Sequence, residues 1–141
     1  MMSGREAKTS VGWALESGYR GIDSAQMYHN EREAGQAINS FLGDAARNVH
    51  NLTREDIFYT SKLSSNGTSY AAVRRSIKQS VDDCGLGYVD LFLLHSPYGG
   101  KEARLTSWKA VEDAIDEGQV KMGGVSNYGV VHVREDTCIM D

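Results

Sequence analysis

Apolar residues along this chain follow two alternating rhythms. Four short runs read as β-strands: Tyr19 to Ala25, Ile57 to Lys62, Val89 to Leu94 and Val120 to Val125. Between them, apolar residues recur every three or four positions, as on one face of a helix. Val11, Ala14 and Leu15 mark the first such stripe, and Ala34, Ala37, Ile38 and Phe41 the second. Tyr70, Val73, Ile77, Val81 and Cys84 form the clearest, and Trp108, Val111 and Ile115 the last. The punctuation agrees with these helices. Thr9 or Ser10 reads as the first N-cap and Gly18 as its stop; Asn30 reads as the second N-cap, with Glu31 and Glu33 in the positive first turn. Gly85 and Gly118 end the other two, and Ser64 to Thr68 is a turn-rich loop.

Helices separating strands predict an α/β fold with a parallel sheet and right-handed crossovers. Two architectures fit: an open doubly wound sheet, or parallel (βα) units forming part of a (β/α)₈ barrel. A whole barrel needs about 250 residues, so 141 residues supply about half of one, in a single domain over 1–141. The run Val89 to Leu94 is apolar almost throughout, as expected for a strand covered on both faces. In a barrel arc, Phe92 and Leu94 are expected to point inward with no opposite wall, beside two unpaired edges. A marginal or self-associating monomer is the expectation.

The net charge of −4, with no long run of like charges, gives no footprint for nucleic acid or an anionic membrane. No segment approaches the roughly 20 apolar residues of a membrane span, and residues 1–6 lack a secretory apolar stretch. Cys84 and Cys138 have no CxxC or ligand-spaced His near them, so no metal site is expected and a reducing cytoplasm fits.

The strand ends carry the chemistry. Asp23, Lys62, His95 and Asn127 close successive runs and lie 39, 33 and 32 residues apart, each gap the length of one βα unit. Parallel strands bring their carboxyl ends to one edge of the sheet, where α/β proteins collect their active groups. Asp23, Lys62 and His95 therefore converge, with Tyr28 on the adjoining loop. A phenol with pKa near 10 is a weak acid at neutral pH. A neighbouring ammonium favours the phenolate, and a carboxylate keeps that ammonium charged. His95 can orient a substrate oxygen by a hydrogen bond. Ser126 and Asn127 offer a hydroxyl and an amide suited to gripping a carboxamide. Proton donation to a carbonyl oxygen, as hydride reaches the carbon, is the reaction these groups suggest.

The stretch Gly18-Tyr19-Arg20-Gly21-Ile22-Asp23-Ser24-Ala25-Gln26-Met27-Tyr28-His29-Asn30-Glu31 resembles the signature of the aldo-keto reductase family. Phe58 to Leu63 is similar to the family's lysine segment and Val89 to Pro97 to its histidine segment. Trp108, Glu112, Gly118 and Val120 to Tyr128 resemble the helix and strand that follow. The resemblance covers about residues 8–128. It implies a (β/α)₈ barrel fold and reduction of a small-molecule aldehyde or ketone by NADPH. It implies Asp23, Tyr28, Lys62 and His95 as catalytic residues, and Asp23, Ser126 and Asn127 as cofactor contacts.

The resemblance runs from the family's second strand to its fifth, so this is read as a truncated member. The phosphate-gripping segments after strands seven and eight have no counterpart. Residues 129–141 alternate apolar and polar without a recognisable cap, and are read as a divergent tail. A catalytically inactive half-barrel that dimerises through its open edges is the competing reading.

Overall fold

The computed structural model describes residues 4–137. Among these residues, five helices alternate with four strands: α1 (Gly4–Glu16), β1 (Gly21–Asp23), α2 (Glu31–Leu42), β2 (Phe58–Leu63), α3 (Tyr70–Cys84), β3 (Val89–Leu94), α4 (Gly100–Asp116), β4 (Val120–Val125) and α5 (Val130–Thr137). Short 3₁₀ turns at Gln26–Tyr28 and Arg54–Asp56 precede α2 and β2. All strand pairs are parallel, in the order β1-β2-β3-β4. A doubly wound sheet reverses its strand order part-way. This one does not, and α1 to α4 pack successively on one face. The result is an unclosed arc of a (β/α) barrel.

Strand side chains alternate between faces, so the register sorts them. Ser61 pairs with Phe92 and Phe92 with Gly123, on the helix side. There Phe92, Leu94, Tyr59 and Ile22 join Ile38, Phe41, Ile77 and Val111 in one core. Thr60, Leu91 and Met122 pair across the other face, as do Lys62, Leu93 and Gly124. The expected inward placement of Phe92 and Leu94 is therefore corrected: both are buried under the helices, and Leu91 and Leu93 face the open side. Four consecutive apolar residues carry no parity signal. The open face leaves Phe58 41% and Met122 47% exposed. Gly123 and Gly124 fit opposite constraints, since a Cβ would come 2.8 Å from Val111 on α4 or 2.8 Å from Leu93 on the open face.

Element boundaries differ from the sequence reading at several points. Helix α1 starts at Gly4, so Thr9 and Ser10 are internal rather than caps. Its buried stripe begins at Ala7, and the Thr9 hydroxyl donates to the Arg5 carbonyl at 2.9 Å, a common mid-helix habit. Strand β1 forms only over Gly21–Asp23 of the run Tyr19 to Ala25. Asn30 does precede α2, but its Oδ1 accepts the Ser24 hydroxyl at 2.6 Å instead of capping a backbone N–H. Tyr70 is exposed, not inward, and donates to Asp113 at 2.5 Å. Val130–Thr137 is helical where alternation masked any helical stripe. Cys84 is buried and unpaired, its thiol pushed up to about 11 by burial; Cys138 lies outside the described residues.

At the strands' amino ends, Arg54 ties β2 to β3. Its guanidinium donates to the Ile57, Leu86 and Tyr88 carbonyls and to Asp90 Oδ2 at 2.6 Å. Asp90 Oδ2 in turn accepts the Tyr59 N–H at 2.9 Å. With that edge fixed, the opposite edge can carry loops of freer composition.

Candidate active site

The strands deliver Asp23, Lys62 and His95 to their carboxyl edge. Asp23 ends β1, Lys62 is next to last in β2, and His95 follows β3 immediately. Alternation places His95 on the same face as Leu91 and Leu93, the face that carries Lys62. Lys62 is almost wholly buried, and its ammonium donates to Asp23 Oδ1 and, at 2.9 Å, to the Ser24 carbonyl. The Asp23 side chain remains 65% exposed. A buried cation thus has a wetter counter-ion beside it, which meets the requirement that buried charges be paired.

Tyr28 closes the 3₁₀ turn Gln26–Tyr28, which stops where His29 takes a left-handed conformation at φ 52°. The turn is pinned by Gln26. Its Nε2 donates to the Ser76 carbonyl at 3.0 Å and to Ser76 Oγ and Ser80 Oγ at 2.9 Å, while its Oε1 accepts the Ser64 N–H. So held, Tyr28 lies under the Lys62 ammonium, 4.9 Å from the ring centre. Its ring meets that of His95 edge-on, with centroids 5.7 Å apart and planes at 81°. Tyr28, Lys62, Asp23 and His95 therefore form one contiguous group.

His95 is held below the ordinary imidazole range, first by burial and then by the Lys62 charge, with Asp23 partly opposing. Its Nδ1 is buried and has no hydrogen-bond partner among the described residues. The His95 carbonyl accepts Asn127 Nδ2 at 2.8 Å. Asn127 takes a left-handed φ of 62°, which asparagine tolerates, and its Nδ2 also reaches Ser126 Oγ at 3.0 Å. Ser126 and Asn127 thus sit against the His95 strand end; no hydrogen bond joins them to Tyr28 or Lys62 among the described residues.

A cleft of about 790 Å³ opens beside His95, between the loops after β2, β3 and β4, with Met27, Asn66, Tyr98, Asn127 and His132 in its walls. No Lys or Arg lines it among the described residues. Sequence reasoning missed Gln26, Ser24 and Asn66. Each is a polar residue near a turn, where solvent exposure is the ordinary expectation, and only the fold shows what each holds.

Residues 1–136 match the Aldo/keto reductase family. The chain belongs to that family. An uncharacterized oxidoreductase of Schizosaccharomyces pombe is 51% identical over 126 residues, which span 89% of this chain and 42% of the relative. The 9,11-endoperoxide prostaglandin H2 reductase of Trypanosoma cruzi is 36% identical, over 94% of this chain and 43% of that one. Among solved structures, an aldo/keto reductase from Brucella melitensis superimposes with a TM-score of 0.86 at 34% identity, over 97% of this chain and 50% of that one. A Bombyx mori aldo-keto reductase in complex with NADP does so with a TM-score of 0.81 at 31% identity, over 94% and 44%. This aldo/keto reductase chain spans about half the length of the relatives it matches. Among its described residues no helix is long and apolar enough to cross a membrane.

Proposed function

We propose that this site reduces an aldehyde or ketone to the alcohol, with Tyr28 as proton donor and NADPH as cofactor. The observation that carries the reading is the buried Lys62 ammonium, paired with Asp23 and lying over the Tyr28 ring. As the carbonyl π bond breaks, the Tyr28 O–H bond gives its proton to the oxygen. The phenolate left behind lies beside a fixed positive charge. Lys62 thereby lowers the barrier electrostatically, and Asp23 pairs with it as its counter-charge. His95, as the neutral ring, donates a hydrogen bond that orients the carbonyl oxygen. NADPH, when bound, supplies the hydride to the carbonyl carbon and is oxidised to NADP⁺.

The residues present suit the nicotinamide end of that cofactor. Ser126 Oγ already accepts from Asn127, so its proton is directed elsewhere, toward a carboxamide oxygen; Asn127 Oδ1 can accept a carboxamide N–H. The lack of cations around the cleft leaves the phosphates with no grip among its described lining residues. We also propose a cytoplasmic location, which fits two cysteines without a CxxC or ligand spacing. Following NADPH absorbance with butanal as substrate tests it: aldehyde-dependent oxidation supports the reading, and none at any aldehyde concentration removes it.

A second reading has its own observation. Phe58 and Met122 stand exposed on the open face, with Leu91 and Leu93 half-buried between them. We infer from these that an inactive half-barrel would associate with another half through that face and its edges. A monomeric mass in sedimentation, with that apolar face still exposed to an apolar dye, would remove this second reading.

A further inference from the structure

We propose that Asn66 is a positioning residue that pins the loop carrying His95, and through it sets the Tyr28–His95 contact. This deepens the reductase reading and rests on it only for the catalytic consequence. Asn66 lies in the loop after β2, and its one amide nitrogen donates to two carbonyls of the loop after β3: Ser96 at 2.8 Å and Tyr98 at 2.9 Å. Both partners are pure acceptors, so only the –NH₂ end of the side chain can face them. The next residue anchors this arrangement: Gly67 N–H donates at 3.0 Å to Ser107 Oγ, which is fully buried on α4. Asn127 holds the His95 carbonyl from the other side at 2.8 Å.

Three carbonyls in four residues of the His95 loop are thus held by asparagine amides from the two flanking loops. The grip costs something, because Asn66 Oδ1 is buried with no partner, and an unsatisfied buried acceptor is disfavoured. Neighbouring backbone also crowds the site: a Cβ at Gly99 would lie 3.4 Å from the Asn66 carbonyl oxygen. Loops are ordinarily the mobile parts of a fold. This one is tied where its first residue must keep a ring in register with Tyr28.

The test uses the full 141-residue chain with ¹³C,¹⁵N-labelled histidine. In the wild type, His95 shows cross-relaxation with the Tyr28 ring. In Asn66→Ala, and in the shape-preserving Asn66→Asp, whose carboxylate would face two carbonyls, that cross-peak falls at least fivefold and the His95 titration midpoint moves up as the ring hydrates. Thr68→Ala, an exposed change in the same loop, leaves both unchanged. A cross-peak and midpoint unaltered in folded Asn66 variants would overturn the proposal, even if thermal stability fell. Should neither variant fold, the wild-type Asn66 amide protons decide: slow exchange with water and contacts to residues 96 and 98 support the pin, while free averaging overturns it. None of these readouts needs turnover, so an inactive wild type would sink the reductase reading without touching this one. Where turnover is present, Asn66→Ala is expected to raise the aldehyde KM about tenfold more than it lowers kcat.

Discussion

The Lys62 ammonium reaches the Tyr28 ring from inside the sheet, 4.9 Å from its centre, while its carboxylate partner, Asp23, stays largely in water. The two partners of Lys62 therefore differ in what their loss should do. Asp23 is solvated but is the counter-charge of a buried ammonium, so Asp23→Asn should keep its secondary structure yet lose stability, by up to about 3–5 kcal/mol. It should also act on chemistry, since asparagine leaves the Lys62 ammonium beside the phenol without its counter-charge. We expect aldehyde reduction to fall by about 10²-fold, the lower end of what acid–base groups contribute, with an unchanged circular dichroism spectrum. Loss of fold with intact specific activity would contradict this assignment.

His95 should remain neutral to lower pH than an ordinary histidine, because burial and Lys62 both disfavour its charged form. The rate of carbonyl reduction should then stay flat as pH falls through about 6.5, the ordinary midpoint, and decline only below it. In His95→Gln that acid limb disappears and the aldehyde KM rises. Steady-state kinetics between pH 5 and 8 on both proteins checks this.

Glu31, at the start of α2, is buried and accepts the Ser61 hydroxyl at 2.5 Å, one residue from Lys62. Burial raises its pKa above the ordinary carboxylate range, outweighing the hydrogen bonds from Ser61 and Ser80. A carboxyl raised in the folded state binds its proton more tightly there than in the unfolded chain. Its contribution is fully present below about 4.5 and is lost as pH rises through the folded value. Glu31→Gln should remove that loss, so its urea midpoint should gain on the wild type between pH 5 and pH 7. Parallel pH profiles for the two proteins would show that Glu31 does not titrate in this way.

How far the linear pattern reached depends on what each residue faces. Asp23, Lys62 and His95 were legible because each ends an apolar strand, and parallel strands must share an edge. The helix centres were legible for the same reason: Ile38, Ile77 and Val111 repeat at helical spacing and are fully buried. The facing of β3 was not, because Leu91 to Leu94 are all apolar and either parity satisfies them. Nor was the start of α1, where a single buried alanine, Ala7, extends the stripe among charged neighbours. Gln26 and Asn66 escaped notice because their partners lie 30 or more residues away along the chain.

Gly35 was likewise unmarked, yet α2 meets α3 through it. A Cβ there would lie 1.7 Å from the Cys84 carbonyl oxygen, a backbone atom that cannot swing aside. Gly35→Ala should therefore separate the two helices and destabilise the chain by about 1–3 kcal/mol or more, despite alanine's better helix propensity. Chemical denaturation measures it, and a neutral or stabilising result would mean that the two helices pack less closely than described.

The most direct test of the central claim compares NADPH oxidation by the wild type and Tyr28→Phe at saturating butanal. Phenylalanine keeps the ring against His95 and Lys62 and removes only the proton donor. The account predicts turnover in the wild type and a loss of at least about 100-fold in the variant. Equal rates in the two proteins, zero included, would contradict it.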